Sequence, residues 1–454
     1  MPITSESNNF VVFDDLANNK TLYERIFNTI HSANDPDIDQ VISLLEDHKR
    51  SVKFRELCLD DLLTDQFDSL LLNVTERCNL RCGYCAFSGI YEDDRTHSEK
   101  QLDFKVAKSA IDFFIPRAKE HAYVSFYGGE PLVNQELISE AVEYIKQAFP
   151  EKEVRFSMTT NFTLGKRHFD FLVDNDFIIM ISLDGNKDIH DKWRKDIEGN
   201  GTFDRIYSAL EELADKHPEY YSRRVGFSVT VTDPSKILEL HAFFSQPIFR
   251  NNPFSIRLVQ EMFLKEDIFN LEEKIAESTE KIRQLAKIYA DNIIHGKENS
   301  GFLRGLFDAI IHSIFSRSAS ELPSELYPKG MCRPGIRKLF VDTDGIYFMC
   351  EKVGRRLKLG SVFEGFNPQK AVHAYNRYAA IKALLCEPCW AVRLCDSCAA
   401  SAKSVDDISI EGQRQMCDNL KGKIIQGLSI YSYLLRNDKE KRYADYYSQI
   451  KMEG

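Results

Sequence analysis

From residue 71 onward, short apolar runs and stretches of helical period take turns along the chain. Six runs read as buried strands: "LLNVT" (71–75), "AYVSFY" (122–127), "VRFSMTT" (154–160), "FIIMISLDG" (177–185), "VGFSVTVT" (225–232) and "SIRLV" (255–259). Between them, apolar positions recur every three or four residues. Val106, Ala107, Ala110, Ile111 and Phe114 share one helical face. A second helix, capped by Asn134, runs to Phe149 with Leu137, Ala141, Val142 and Ile145 inward. Further helices are expected around 166–174, over 203–215 with Ile206, Leu210 and Leu213 inward, and over 235–244. Such alternation predicts parallel strands joined by right-handed crossovers. The expected fold class is α/β, a partial (β/α)6 TIM-like barrel or an open sheet of the same six units. In barrels of this type chemistry sits at the C-terminal ends of the strands.

The flanking regions have other textures. Residues 1–70 form a separate N-terminal domain, an adaptor or an extension packed on the barrel; "FVVFDD" reads as its single plausible strand. "IDQVISLLEDH" reads as a helix with Ile38, Val41, Ile42, Leu44 and Leu45 apolar. After the core (71–265), residues 266–325 read as an amphipathic helical connector. A cysteine-rich region of short strands covers 326–420, where "LFVDTDGIYFMC" places Asp344-Gly345 between apolar runs, a hairpin signal. The tail, 421–454, reads as helix.

Composition narrows the function. The 454 residues are 28% charged and 43% hydrophobic, with net charge -10. That balance fits a soluble globular chain and disfavours nucleic acid as a partner, since phosphate binding needs clustered Lys and Arg. No run of about 18 apolar residues occurs, so no membrane span is expected. "MPITSESNNF" has neither a basic region nor an apolar stretch, so no signal peptide is read and the expected location is cytoplasmic. In that reducing compartment the eleven cysteines point to metal or catalytic chemistry rather than disulfides. Three lie at 78–85 and seven between 332 and 417; Cys58 stands alone and reads as a lone buried thiol.

Cys78, Cys82 and Cys85 are spaced C-x3-C-x2-C, with Tyr84 before the last. Three thiolates are one short of a closed tetrahedral site. Taken alone they would suit zinc with a distant His, or be unrelated core thiols. The spacing, directly after the first strand, resembles the signature of the radical S-adenosylmethionine (SAM) superfamily. The resemblance implies that the three thiolates hold three irons of a [4Fe-4S] cluster, leaving the fourth iron for the amine and carboxylate of SAM. It further implies reductive cleavage of SAM to a 5'-deoxyadenosyl radical that takes a hydrogen atom from substrate. Other segments agree. "YGGEP" after the second strand is similar to the family's turn for the methionine amine, giving roles to Gly128, Gly129 and Glu130. "TTN" and "SLDG" end the next two strands, with Thr160 and Asn161 lining the pocket and Ser182 near the ribose. In "HDKWR", Arg194 is the candidate for the methionine carboxylate, while Asp184 and His190 organise the loop.

The second group runs Cys332, Gly345-x4-Cys350, Cys386-x2-Cys389-x5-Cys395-x2-Cys398 and Cys417. By itself it would suggest a zinc ribbon. Behind this core it resembles the SPASM extension, which implies two auxiliary [4Fe-4S] clusters, three in all. Cys386, Cys389, Cys395 and Cys417 would hold the outer one; Cys332, Cys350 and Cys398 the inner. The family often has x3 where this chain has the last x2. Seven thiolates are also one short of eight, so the inner cluster would have an open iron or a non-Cys ligand. SPASM members act mostly on peptides. The leading expectation is therefore a maturase of a ribosomally made precursor peptide, installing a Cys thioether, with C–C or C–O links as alternatives. Its partners would be a leader adding a strand to an N-terminal sheet edge, and a reductant such as flavodoxin or ferredoxin. The other alternative is an anaerobic sulfatase (formylglycine) maturase, whose relatives carry Asp where this chain has Glu351.

Overall fold

The computed structural model describes residues 3–48, 51–63, 66–91, 96–259, 264–265, 268–353, 357–402 and 408–450. It opens with four antiparallel strands in sequential order, β1 (Ile3–Glu6), β2 (Phe10–Asp14), β3 (Lys20–Glu24) and β4 (Thr29–Ser32). Four strands thus stand where the hydrophobic pattern shows one. Only β2 is an apolar run. The others are short and polar at many positions, and the pairing of β3 and β4 depends on turns at Asn18 and Asn28, both in the left-handed region. The strand β2 serves two cores. Val11 and Phe13 join the main core, while Phe10 and Val12 pack with Leu22, Ile26 and Leu45 of helix α1 (Ile38–Asp47). A short strand β5 (Lys53–Phe54) and helix α2 (Leu59–Leu63) lead to the core.

The core holds the six expected strands, all parallel: β6 (Phe67–Thr75), β7 (Ala118–Gly128), β8 (Glu153–Thr160), β9 (Ile178–Ser182), β10 (Val225–Val231) and β11 (Phe254–Leu258). They are joined by α3 (Phe104–Phe114), α4 (Gln135–Ala148), α5 (Phe169–Asp174), then α6 (Lys187–Trp193), α7 (Phe203–Lys216) and α8 (Pro218–Arg224), and finally α9 (Ile237–Phe244). The expected inward faces of α3, α4 and α7 are buried at Ala107, Ala110, Ile111, Leu137, Ala141, Ile206 and Leu210. Asn134, expected to cap α4, makes no cap bond; its side-chain amide donates to Val74 O (2.8 Å) and ties the α4 entry to β6.

The fold is α/β as expected, and the sheet is open rather than a closed barrel. The helical connector is two helices, α10 (Leu271–Ile294) and α11 (Gly301–Phe315). Strand β12 (Glu325–Leu326) pairs with β5. Next come β13 (Leu339–Val341) and β14 (Ile346–Phe348), the hairpin predicted at Asp344-Gly345, followed by β15 (Lys358–Ser361) and β16 (Gly365–Phe366). The strand β13 lies parallel to β6, Leu339–Val341 against Leu70–Leu72, so the cysteine-rich region extends the core sheet to ten strands. The chain closes with α12 (Pro368–Cys386), α13 (Ile410–Asn437) and α14 (Arg442–Gln449).

Candidate active site and metal centres

The strand β6 runs directly into the first cysteine loop, which is held on two sides. Gly129 N donates to Thr75 O (2.8 Å) and Glu130 N to Arg77 O (2.9 Å). Opposite, Arg81 N donates to Lys195 O (2.7 Å) and Gly83 N to Trp193 O (2.9 Å). The "YGGEP" turn and the end of α6 therefore grip the loop between them. No side chain fits at the first contact: a Cβ on Gly128 would lie 2.2 Å from Thr75 O, and one on Gly129 2.1 Å from Arg77 O.

Each of the three thiols has a donor aimed at it. Leu80 N (3.4 Å) and the Asn161 amide (3.9 Å) face Cys78 Sγ, Arg194 Nη1 (3.9 Å) faces Cys82 Sγ, and Phe87 N (3.4 Å) faces Cys85 Sγ. The charges of Cys82 and Cys85 both bear on Cys78. Burial pushes the Cys78 thiol up to about 12 and Cys82 to about 11; a metal would have to displace those protons on binding.

Glu130 is buried, and its carboxylate accepts from Thr160 Oγ1 (2.7 Å), Asn161 N (2.6 Å) and Leu132 N (3.1 Å). Burial raises its pKa against these three donors. Thr160 and Asn161 thus act on Glu130 and, through the Asn161 amide, on Cys78. Ser182 ends β9, buried beside them.

Asp184, expected only to organise a loop, is the hub of the other wall. It accepts from Arg194 Nε (2.8 Å), Thr230 N (2.9 Å) and the Tyr84 hydroxyl, with the Arg194 guanidinium over the Tyr84 ring. The next link is His190, wholly buried. Its Nδ1 accepts from Asp184 N (3.3 Å), which leaves the proton on Nε2 facing Thr202 Oγ1 (3.1 Å); that hydroxyl donates to Arg194 O (3.0 Å). The sequence signal for this network was the "SLDG" run itself, whose buried aspartate pairs with Arg194 Nε.

In the second cysteine group the charges of Cys395, Cys389 and Cys417 bear on Cys386, which ends α12, and that of Cys398 bears on Cys332 and on Cys350. Glu351, beside Cys350, pairs with Lys338 (3.2 Å); burial opposes its charge, but Lys338 holds its pKa below the usual range. Cys58, expected to be buried, is exposed, and its thiol donates to Asp61 Oδ2 (3.2 Å). Among the described residues no three His, Cys, Asp or Glu side chains close on one point as a single ion requires. An iron–sulfur cluster puts each thiolate on a different iron, so its thiols need not close on one point.

Residues 72–240 match the family model "Radical SAM superfamily". The chain carries a radical SAM domain, of a class that works with SAM and a [4Fe-4S] cluster. It is 24% identical over 354 residues to a cysteine-type anaerobic sulfatase-maturating enzyme of Clostridium perfringens, across 76% of this chain and 92% of that one. With the enzyme of the same name from Clostridium novyi it is 29% identical over 184 residues, 40% of this chain and 48% of the other. The solved structure of native anSMEcpe with bound AdoMet superposes with a TM-score of 0.62 at 20% identity, covering 84% of this chain and all of that one; the two share a fold. No helix among the described residues is long and apolar enough to cross a membrane.

Proposed function

We propose that this radical SAM enzyme oxidises a cysteine-containing peptide, with the chemistry named for its relatives, sulfatase maturation, as the first reading. The observation that carries it is the likeness to cysteine-type sulfatase-maturating enzymes over 92% of the Clostridium perfringens protein. Another structure with the same fold (TM-score 0.60, 19% identity) is anSMEcpe with AdoMet and the Kp18Cys peptide bound. Glu351 follows Cys350 and keeps a carboxylate where that class carries Asp.

In this reading Cys78, Cys82 and Cys85 hold the SAM-binding cluster, and the backbone of Gly128 and Gly129 with Glu130 receives the methionine amine. Arg194, fixed by Asp184, serves the methionine carboxylate; Tyr84, Asn161 and Ser182 complete the wall. When bound, cluster and cofactor supply hydrogen-atom abstraction from a substrate carbon. The protein orients the peptide and keeps water out. The four outer and three inner thiols would hold two auxiliary clusters, three in all. The external reductant would be a flavodoxin or ferredoxin, and a leader, if the peptide has one, would pair with an edge of the N-terminal sheet.

A second reading, thioether formation, is favoured by the inner set: three thiols leave a position that a substrate Cys sulfur can take. One experiment separates the two. The reconstituted enzyme, with SAM and reductant, is given a synthetic Cys peptide, and the product mass is read. Loss of sulfur with gain of a carbonyl supports formylglycine formation. Loss of two hydrogens with sulfur retained supports the thioether. SAM cleavage with every Cys peptide unchanged overturns both.

A further inference from the structure

The N-terminal sheet is fastened to the loops that carry the outer thiols. Arg25 leaves the end of β3 and is buried. Its backbone N donates to Asn9 O (2.9 Å) and its Nε to Asn9 Oδ1 (2.9 Å), which fixes the direction of the guanidinium. Nη1 then donates to Glu387 O and reaches Cys389 O (3.5 Å), carbonyls on either side of the short loop between Cys386 and Cys389.

The next loop returns the contact: Arg393, between Cys389 and Cys395, donates to Arg25 O and Ile26 O (both 3.3 Å). Trp390 packs edge-on against Tyr23 at 6.2 Å and donates to Glu6 (3.3 Å). Glu6 also receives Lys421 (2.9 Å), one helical turn after Cys417. The 386–389 and 389–395 segments, and the helix that bears Cys417, are thus touched by β1, by β3 or by Arg25 just after it. The charges of both Glu387 and Cys389 bear on Arg25.

We propose that the N-terminal sheet completes the outer thiol site, with Arg25 as its positioning residue. The guanidinium, anchored through Nε on Asn9, brings Nη1 to both loop carbonyls and keeps a positive charge beside Cys389. A fork does this with less freedom than an ammonium. Positive charge and hydrogen bonding beside a cluster favour its reduced state and raise its potential. The inference rests on reading Cys386, Cys389, Cys395 and Cys417 as metal ligands.

The test compares anaerobically reconstituted wild type with Arg25→Met, Arg25→Lys and Arg283→Met, by redox titration of each cluster and by the rate of iron loss to a chelator. Arg283 grips the same sheet at Leu16 O (3.0 Å), on the turn after β2, and serves as the control for sheet docking alone. Arg25→Met is expected to move one cluster potential to more negative values, leave the others, and speed iron loss. Arg25→Lys should restore most of the potential while still losing iron faster than wild type. Unchanged potentials in Arg25→Met, an equal shift in Arg283→Met, or wild-type iron retention in Arg25→Lys overturns the proposal. If Arg25→Met does not fold, the lysine variant decides. Failure of the ligand reading is separate: wild-type iron content would then be unaffected by Cys386→Ala with Cys389→Ala.

Discussion

Arg194 and Asp184 form a buried ion pair, Nε to Oδ2 at 2.8 Å, that joins the end of α6 to the end of β9 and places a guanidinium nitrogen 3.9 Å from Cys82. The side chains are 9% and 3% exposed, so neither charge has water to fall back on. Removing one partner of such a pair strands the other, a loss of about 3–5 kcal/mol. Asp184→Asn is expected to lower stability on that scale in denaturant titrations and to abolish SAM cleavage. A variant with wild-type cleavage would show that Arg194 is held by other contacts.

Gly129→Ala asks whether the loop can move. Its Cβ would meet Arg77 O at 2.1 Å, one residue before Cys78, and a backbone carbonyl cannot swing aside alone. The expected result is loss of the SAM-binding cluster, read as about four fewer irons per chain, with the auxiliary sites filled.

His190 supplies a pH dependence. Burial is the largest cause that brings its pKa down from 6.5 to about 4, with Arg194 acting in the same direction and Asp184 and Asp191 against it. The folded chain therefore keeps the ring neutral, while the unfolded chain takes up a proton below 6.5. The stabilisation is complete above pH 6.5, shrinks as pH falls, and is gone below about 4. The gap corresponds to about 3 kcal/mol. Stability measured across that window should fall for wild type and fall less for His190→Asn.

The cysteine sets are separable by iron count. Cys78, Cys82 and Cys85 changed to Ala together should abolish SAM cleavage and remove about four irons, leaving the auxiliary signals. Cys386→Ala with Cys389→Ala should remove a similar amount and stop product formation while some unproductive SAM cleavage persists. Iron unaffected by the second change, with stoichiometric zinc in its place, would convert that site to a zinc knuckle.

Much of the core was written locally. Six strands, their alternation with helices and the inward faces of α3, α4 and α7 follow from apolar period, because each element buries one face whatever its neighbour is. The cysteine spacings and the two glycines of "YGGEP" are local too: a loop that carries ligands and a turn that admits no Cβ leave their marks in consecutive residues. The hairpin at Asp344-Gly345 is legible for the same reason.

What only the tertiary structure decided is pairing between distant segments. β1, β3 and β4 are short and partly polar; β1 and β3 become strands by pairing with the two edges of β2, and β4 by pairing with β3, with asparagine turns before and after β3. The strand β13 joins β6 across more than two hundred residues of chain, a pairing that no periodicity encodes. The role of Asp184 is of this kind, since a carboxylate's importance lies in which cation it meets once both are out of water. So is Cys58, which stands exposed just before α2 with its thiol on Asp61. The contact of Arg25 with the Cys386–Cys389 loop joins residues 362 apart. Sequence sets which faces are apolar and which residues can bind metal. The fold sets which of them meet, because burial makes unpaired charge and unbonded carbonyls costly enough to select one arrangement.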